Sequence, residues 1–298
     1  MQPFIGSLKV RPCLAQKLLV AAVAVLFLGQ FTLYLTVRRW EKGVDAVLQT
    51  PFNILLLGVD QPKLDEQGEF ERPRTDTMLF LALQPEKSRA ALFSIPRDSL
   101  IEIPGHGMER LNMAYVYGGY DLTKALVEKI MELPVDRYLM VNFQSFEEMV
   151  DLVGGVEVTV DKRMLYKDES AGLSIDLQPG RQRLNGYQAL GYVRYRRDAL
   201  GDITRTRRQQ QFMMALAGKL KDTATLKRLI RNWPDLLRIS REYVHTDLKI
   251  PELIGLYLFF KNLDLREDLQ TLTLPGEFSC PYWRLHPREI EHLTESFR

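Results

Sequence analysis

The chain has 298 residues, 46% hydrophobic and 26% charged, which is enough apolar material for a full globular core and excludes a low-complexity polymer. A net charge of +2 excludes a general nucleic-acid binder. Cys13 and Cys280 lie on opposite sides of a long apolar stretch, so no disulfide forms within the domain, and His106, His245, His286 and His292 lack the spacing of zinc ligands.

Residues 1–17 form a short tail. Residues 18–37 carry no charge between Lys17 and Arg38, and at about 1.5 Å per residue a helix of this length crosses the roughly 30 Å hydrocarbon core of a bilayer. Tyr34 and Trp40 fit the aromatic belt at its far end. A signal peptide would have a shorter apolar run followed by a small-residue cleavage pattern, and a core helix would be amphipathic rather than apolar all round. The segment therefore reads as an uncleaved single-pass anchor. Lys9, Arg11 and Lys17 before it balance Arg38, Arg39 and Lys42 after it, so charge alone does not orient it.

Residues 38–51 read as a linker, and residues 52–298 as the folded domain. Apolar runs at 53–59, 77–83 and 90–95 are short and rich in Leu, Ile, Val and Phe, as strands are. Residues 61–73 are a polar loop, 84–88 a turn and 103–107 a second loop. A helix is expected over 121–131, a strand over 138–143, a helix over 144–153 stopped by Gly154-Gly155, and a strand over 156–160. After a turn at Pro179-Gly180, helices are expected at 187–194, from 204 or 205 to 220, at 223–240 and at 250–262, with a final strand at 269–274. Strands and helices alternating without a strict βαβ rhythm predict a layered α/β domain with a mixed sheet.

Three strings punctuate the first strands: Gly58-Val59-Asp60, Arg74-Thr75-Asp76-Thr77 and Pro96-Arg97-Asp98. Antiparallel pairing in sequence order brings Asp60, Asp76 and Arg97-Asp98 to one end of the sheet. Carboxylates so placed repel unless compensated, and a divalent cation shared with substrate phosphates compensates them. The plainer reading is that each Asp caps a turn or pairs with a local arginine. Residues 194–208 hold six arginines, no lysine and two carboxylates, and Arg205, Arg208 and Gln209 share a face with Phe212 at a helix amino terminus. Guanidinium groups there gain nothing from the helix dipole unless an anion joins them.

In order, the strings GVD, RTDTM, SIPRD, RLNMAYVYGG, VDLVGGVEV, LNGYQALGYVRYR and DITRTRRQQ resemble the LytR-CpsA-Psr family over residues 53–220. The resemblance implies a three-layer α/β/α extracytoplasmic domain behind one transmembrane helix in the plasma membrane. It implies a phosphotransferase that moves a glycopolymer from a polyprenyl-diphosphate carrier onto peptidoglycan. Carried over by position, it makes Asp60 and Asp76 the Mg²⁺ ligands. It makes Arg97, Arg196 and Arg205 the diphosphate-binding catalytic groups, with Asp98 beside them. Arg74, Arg110, Asn112, Arg194, Asp202, Arg208 and Gln209 take supporting substrate contacts. Phe143, Phe146, Met149, Val150, Phe212, Met213 and Leu216 could line a lipid groove, although each reads first as plain core. Two departures from the pattern, Gln61-Pro62 after Asp60 and Ile203-Thr204 before Arg205, leave polymer and acceptor open. A polyprenyl-diphosphate hydrolase and a non-enzymatic envelope anchor are the alternatives.

Overall fold

The computed structural model describes residues 50–59, 63–64, 70–168, 173–197 and 202–298. The predicted tail, the predicted membrane span and nearly all of the predicted linker, and Asp60, lie outside the described residues, as does the Asp202 side chain. Among the described residues no helix is long and apolar enough to cross a membrane. The folded unit begins at Leu48 and runs to Arg298.

Its centre is a six-stranded mixed sheet built from β1 (Phe52–Val59), β2 (Thr75–Gln84), β3 (Arg89–Ser94), β4 (Arg137–Asn142), β5 (Val244–Thr246) and β6 (Leu269–Thr273). The order is β5-β4-β1-β2-β3-β6. The antiparallel β1–β2 and β2–β3 pairs are those expected from the sequence, while β4 joins β1 in parallel and β6 joins β3 in parallel. The carboxyl ends of β1, β3, β4 and β6 therefore meet the amino end of β2, the place where open α/β sheets bind ligands.

Side chains alternate along each strand, so each sheet face has its own core. Leu55, Leu57, Phe80 and Phe93 pack beneath helix α1 (Ala114–Met131) with the carboxy-terminal Ile290 and Phe297. Ile54, Leu79, Leu81 and Leu92 face the other way, toward Met213, Leu256, Phe259 and Phe260. Fully burying each such side chain contributes about 1.5–3 kcal/mol before entropy is counted. Helices thus cover both faces.

Between β4 and β5 lie α2 (Phe143–Leu152), α3 (Gly186–Arg194), α4 (Asp202–Leu220), α5 (Thr223–Arg231) and α6 (Trp233–Glu242). Asn142 caps α2 and Asn185 caps α3, each in a reciprocal capping box. The predicted strand at 156–160 forms, but it pairs with Gly180–Leu184 outside the main sheet. With the hairpin Met164–Asp168/Leu173–Leu177 and parts of α2, α3 and α4 it encloses a third core. Phe146, Val150, Phe212 and Leu216 belong to that core. The plainer reading of these residues as core is the one the packing shows, since the small satellite sheet needs them to exclude water.

Two helices differ from expectation. The 121–131 helix reaches back to Ala114 but is broken at Gly119, whose φ of 65° is open to glycine and costly for other residues. The 223–240 helix is two helices, because Pro234 lacks the N–H that a continuous helix would bond to residue 230 and instead sits in the first turn of α6. Helix α7 (Ile250–Asn262) follows β5, and the chain ends in the hairpin Gly276–Ser279/Tyr282–Leu285 and helix α8 (Pro287–Glu295).

Candidate active site at the strand ends

At the carboxyl end of β3 the chain turns through Pro96-Arg97-Asp98, and Ser99 locks the turn by donating its Oγ–H to Pro96 O at 2.6 Å. Arg97 reaches across to the start of β2, where its Nη1 lies 2.5 Å from Asp76 Oδ1. On the other side Arg97 Nε is 3.6 Å from Asp98 Oδ2, and Arg110 Nε is 3.6 Å from Asp98 Oδ1. The result is an alternating row, Asp76–Arg97–Asp98–Arg110. The expected repulsion between Asp76 and Asp98 is therefore already relieved by arginine. No cation is needed to separate these two carboxylates, because the fold interposes a guanidinium between them.

Asn112 is buried behind this row, where its N–H donates to Arg97 O at 3.1 Å. Its Oδ1 and the buried Thr75 Oγ1 have no hydrogen-bond partner among the described residues. The carboxy-terminal hairpin buttresses the same turn: Trp283 N–H donates to Asp98 O at 2.9 Å, and Arg110 lies over the Tyr282 ring at 5.5 Å. The aromatic residues after Pro281 signal this buttress in the sequence, yet only the fold shows what they hold.

Helix α4 crosses the strand ends. Gln209 Nε2 donates to Thr77 Oγ1 at 3.2 Å, and Gln210 Nε2 donates to Ser94 Oγ at 3.0 Å and to Leu272 O at 3.1 Å. Gln210, Thr77 and Ser94 were not singled out by sequence reasoning, and adjacency to Gln209, to Asp76 and to the end of a strand is the signal that could have found them. These bonds pin the first turns of α4 to β2, β3 and β6. Arg205, one turn earlier on the face of Gln209, is buried there at 8% exposure. Arg208 is buried as well, donating from Nη1 to Tyr195 O at 2.6 Å, and burial pulls its pKa down. Arg208 thus anchors the segment that carries Arg196.

Arg196 and Arg74 are exposed. Arg194 stacks over the Phe143 ring at 4.2 Å, at the carboxyl end of β4. The structure therefore brings Asp76, Arg97, Asp98, Arg110 and Asn112 into one constellation and places Gln209 above the same strand ends, with Arg205 one turn before it and Arg208 turned to Tyr195. Among the described residues no three His, Cys, Asp or Glu side chains form a metal cluster. Asp76 nevertheless offers hard carboxylate oxygen of the kind Mg²⁺ prefers, and its second oxygen is not held by Arg97.

Comparison with known proteins locates this arrangement. The LytR_cpsA_psr family description matches residues 37–296. The polyisoprenyl-teichoic acid–peptidoglycan teichoic acid transferase TagT of Bacillus subtilis (strain 168) is 32% identical over 266 residues, covering 88% of this chain and 79% of that protein. A solved structure of TagT bound to LI-WTA superposes with a TM-score of 0.67 at 28% identity, covering 84% of this chain and 90% of the other. A second, of YwtF (TagT) with bound octaprenyl pyrophosphate lipid, gives 0.62 at 27% identity, with coverage of 84% and 90%.

Proposed function

This chain belongs to the LytR-CpsA-Psr family, and on that premise we propose that it transfers a glycopolymer from a polyprenyl-diphosphate carrier to peptidoglycan during cell wall assembly. The observation that carries the reading is the convergence of Arg97 and the buried Arg205 on the strand ends that also hold Asp76. The planar guanidinium fork matches phosphate oxygens two at a time, and a diphosphate is the anion this family's substrate supplies.

In the proposed reaction an acceptor hydroxyl oxygen forms a bond to the glycan-linked phosphorus. The bond from that phosphorus to the bridging oxygen breaks, and polyprenyl phosphate leaves while the hydroxyl proton passes to that leaving oxygen or to water. Arg97, Arg196 and Arg205 stabilise the charge gathering on the phosphoryl oxygens, while Asp98 keeps Arg97 and Arg110 aimed. Arg74, Arg194 and Gln209 contact the flanking substrate groups. Asp60 and Asp76 are the pair to hold Mg²⁺, and Asp202 is a further substrate contact. When bound, Mg²⁺ would neutralise diphosphate charge. The half-buried Met213, Leu256, Phe259 and Phe260 are the apolar side chains best placed to receive the carrier's hydrocarbon chain. Residues 18–37 would anchor the enzyme as a single-pass span with its domain outside the plasma membrane.

The test is incubation of the full chain with a lipid-diphosphate-linked oligosaccharide, peptidoglycan fragments and Mg²⁺, followed by mass analysis. A phosphodiester-linked conjugate is expected, lost on chelation and restored by Mg²⁺. Release of sugar phosphate with no conjugate formed would overturn transfer.

A further inference from the structure

Of the eleven large apolar side chains exposed among the described residues, seven fall between Leu220 and Leu253. Ile230 is 64% exposed and Trp233 58%. With Leu226 and Leu237 they recur at steps of four, three and four residues, two on each side of the break at Asn232. A stripe at this spacing is what an amphipathic helix buries, yet only Thr225 of α5 and Ile239 of α6 are buried in the fold. Contiguous apolar surface with no cover marks an interaction site.

Charge identifies the cover. Between Leu220 and Glu242 there are six cations against three carboxylates. Arg238 is taken by Glu148 at 2.8 Å, and Arg228 donates from Nε to Leu152 O at 2.9 Å. Lys227, Arg231 and Arg241 make no ion pair among the described residues, and they flank Ile230, Trp233 and Leu237. An indole and branched aliphatic side chains edged by unpaired cations are the composition of a helix lying in the headgroup region of an anionic bilayer. A second copy of the chain would present the same cations to themselves.

We infer that the α5–α6 corner is a peripheral membrane contact that seats the domain on anionic phospholipid. Ile230, Trp233 and Leu237 enter the interface, and Lys227, Arg231 and Arg241 meet the headgroup phosphates. The proposal rests on the proposed function only for its tether. Residues 38–49 reach about 40 Å at most from the end of the apolar stretch, which would confine the tethered domain to the neighbourhood of a bilayer so that modest intrinsic affinity suffices.

The full chain, with Cys13→Ser and Cys280→Ser, would carry an environment-sensitive fluorophore on Ile230→Cys or, as control, on Leu165→Cys, exposed on the hairpin Met164–Asp168/Leu173–Leu177. In phosphatidylglycerol-containing vesicles, quenchers at headgroup depth should quench the 230 probe several-fold more than the 165 probe. Each of Lys227→Gln, Arg231→Gln and Arg241→Gln should lower the ratio of seated to free domain about fivefold. Equal quenching at both positions, quenching unchanged in purely zwitterionic vesicles, or quenching that scales with protein density as a dimer would, each overturns the proposal. Flotation of the vesicles at high salt reports the 18–37 span separately. The conjugation assay reports the chemistry.

Discussion

Arg205, Arg208 and Glu252 are the buried charges among the described residues, and each has a different reason to be there. Arg208 is satisfied by Tyr195 O and Glu252 by Arg137, whose Nη2 lies 2.8 Å from Oε1. Arg205 is the one placed toward the strand ends. Arg205→Lys keeps the charge but loses the planar fork, so transfer should fall about 10²- to 10³-fold with an unchanged thermal midpoint, read as kcat and by circular dichroism. Full activity in that variant would remove Arg205 from the site. Glu252 offers a pH signature. Burial pushes its carboxyl up, but the hydrogen bonds from Arg137 and the Lys249 N–H outweigh it and leave the pKa below the usual glutamate value. A depressed folded pKa contributes stability that is present above the unfolded value and lost as pH falls through the folded one. Glu252→Gln should therefore cost about 1.5–3 kcal/mol in urea unfolding at neutral pH. The deficit should shrink once the pH drops below the folded value.

At the scale of elements, the contact between α2 and α3 decides where the arginine segment starts. Gly186 N–H donates to Asp151 Oδ1 at 2.8 Å, and a Cβ on Gly186 would stand 2.2 Å from Glu147 O. Gly186→Ala should destabilise the domain by about 1–3 kcal/mol in urea titration, because backbone rather than a flexible side chain must yield. It should also displace Arg194 and Arg196 and weaken transfer. Helix α4 is held differently, by amides of Gln209 and Gln210 on hydroxyls at three strand ends. The strand and helix periods of these elements were legible in the residues. The single helix expected over 223–240 passes over Pro234, whose missing N–H is the local signal for the break at Asn232.

Across the whole molecule, the last residues close the core that the first strands open. Phe297 packs edge-on against Phe93 with centroids 5.8 Å apart, and Ile290 fills the same layer. Deleting residues 276–298 should leave a protein without a cooperative unfolding transition, because it uncovers one sheet face and releases the Asp98 turn from Trp283. A sharp transition near the wild-type midpoint would refute this. The sequence by itself determined the strand runs, the antiparallel order of the first three, the family strings and the arginine-rich helix start, since each is a local pattern with a fixed period or composition. Only tertiary structure decided that Arg97 stands between Asp76 and Asp98, that Arg208 is an anchor, that Phe146, Val150 and Phe212 serve a satellite core, and that the α5–α6 stripe stays uncovered. Those depend on which distant elements meet, and contacts across 20 to 200 residues follow from packing of the whole chain rather than from any window of it.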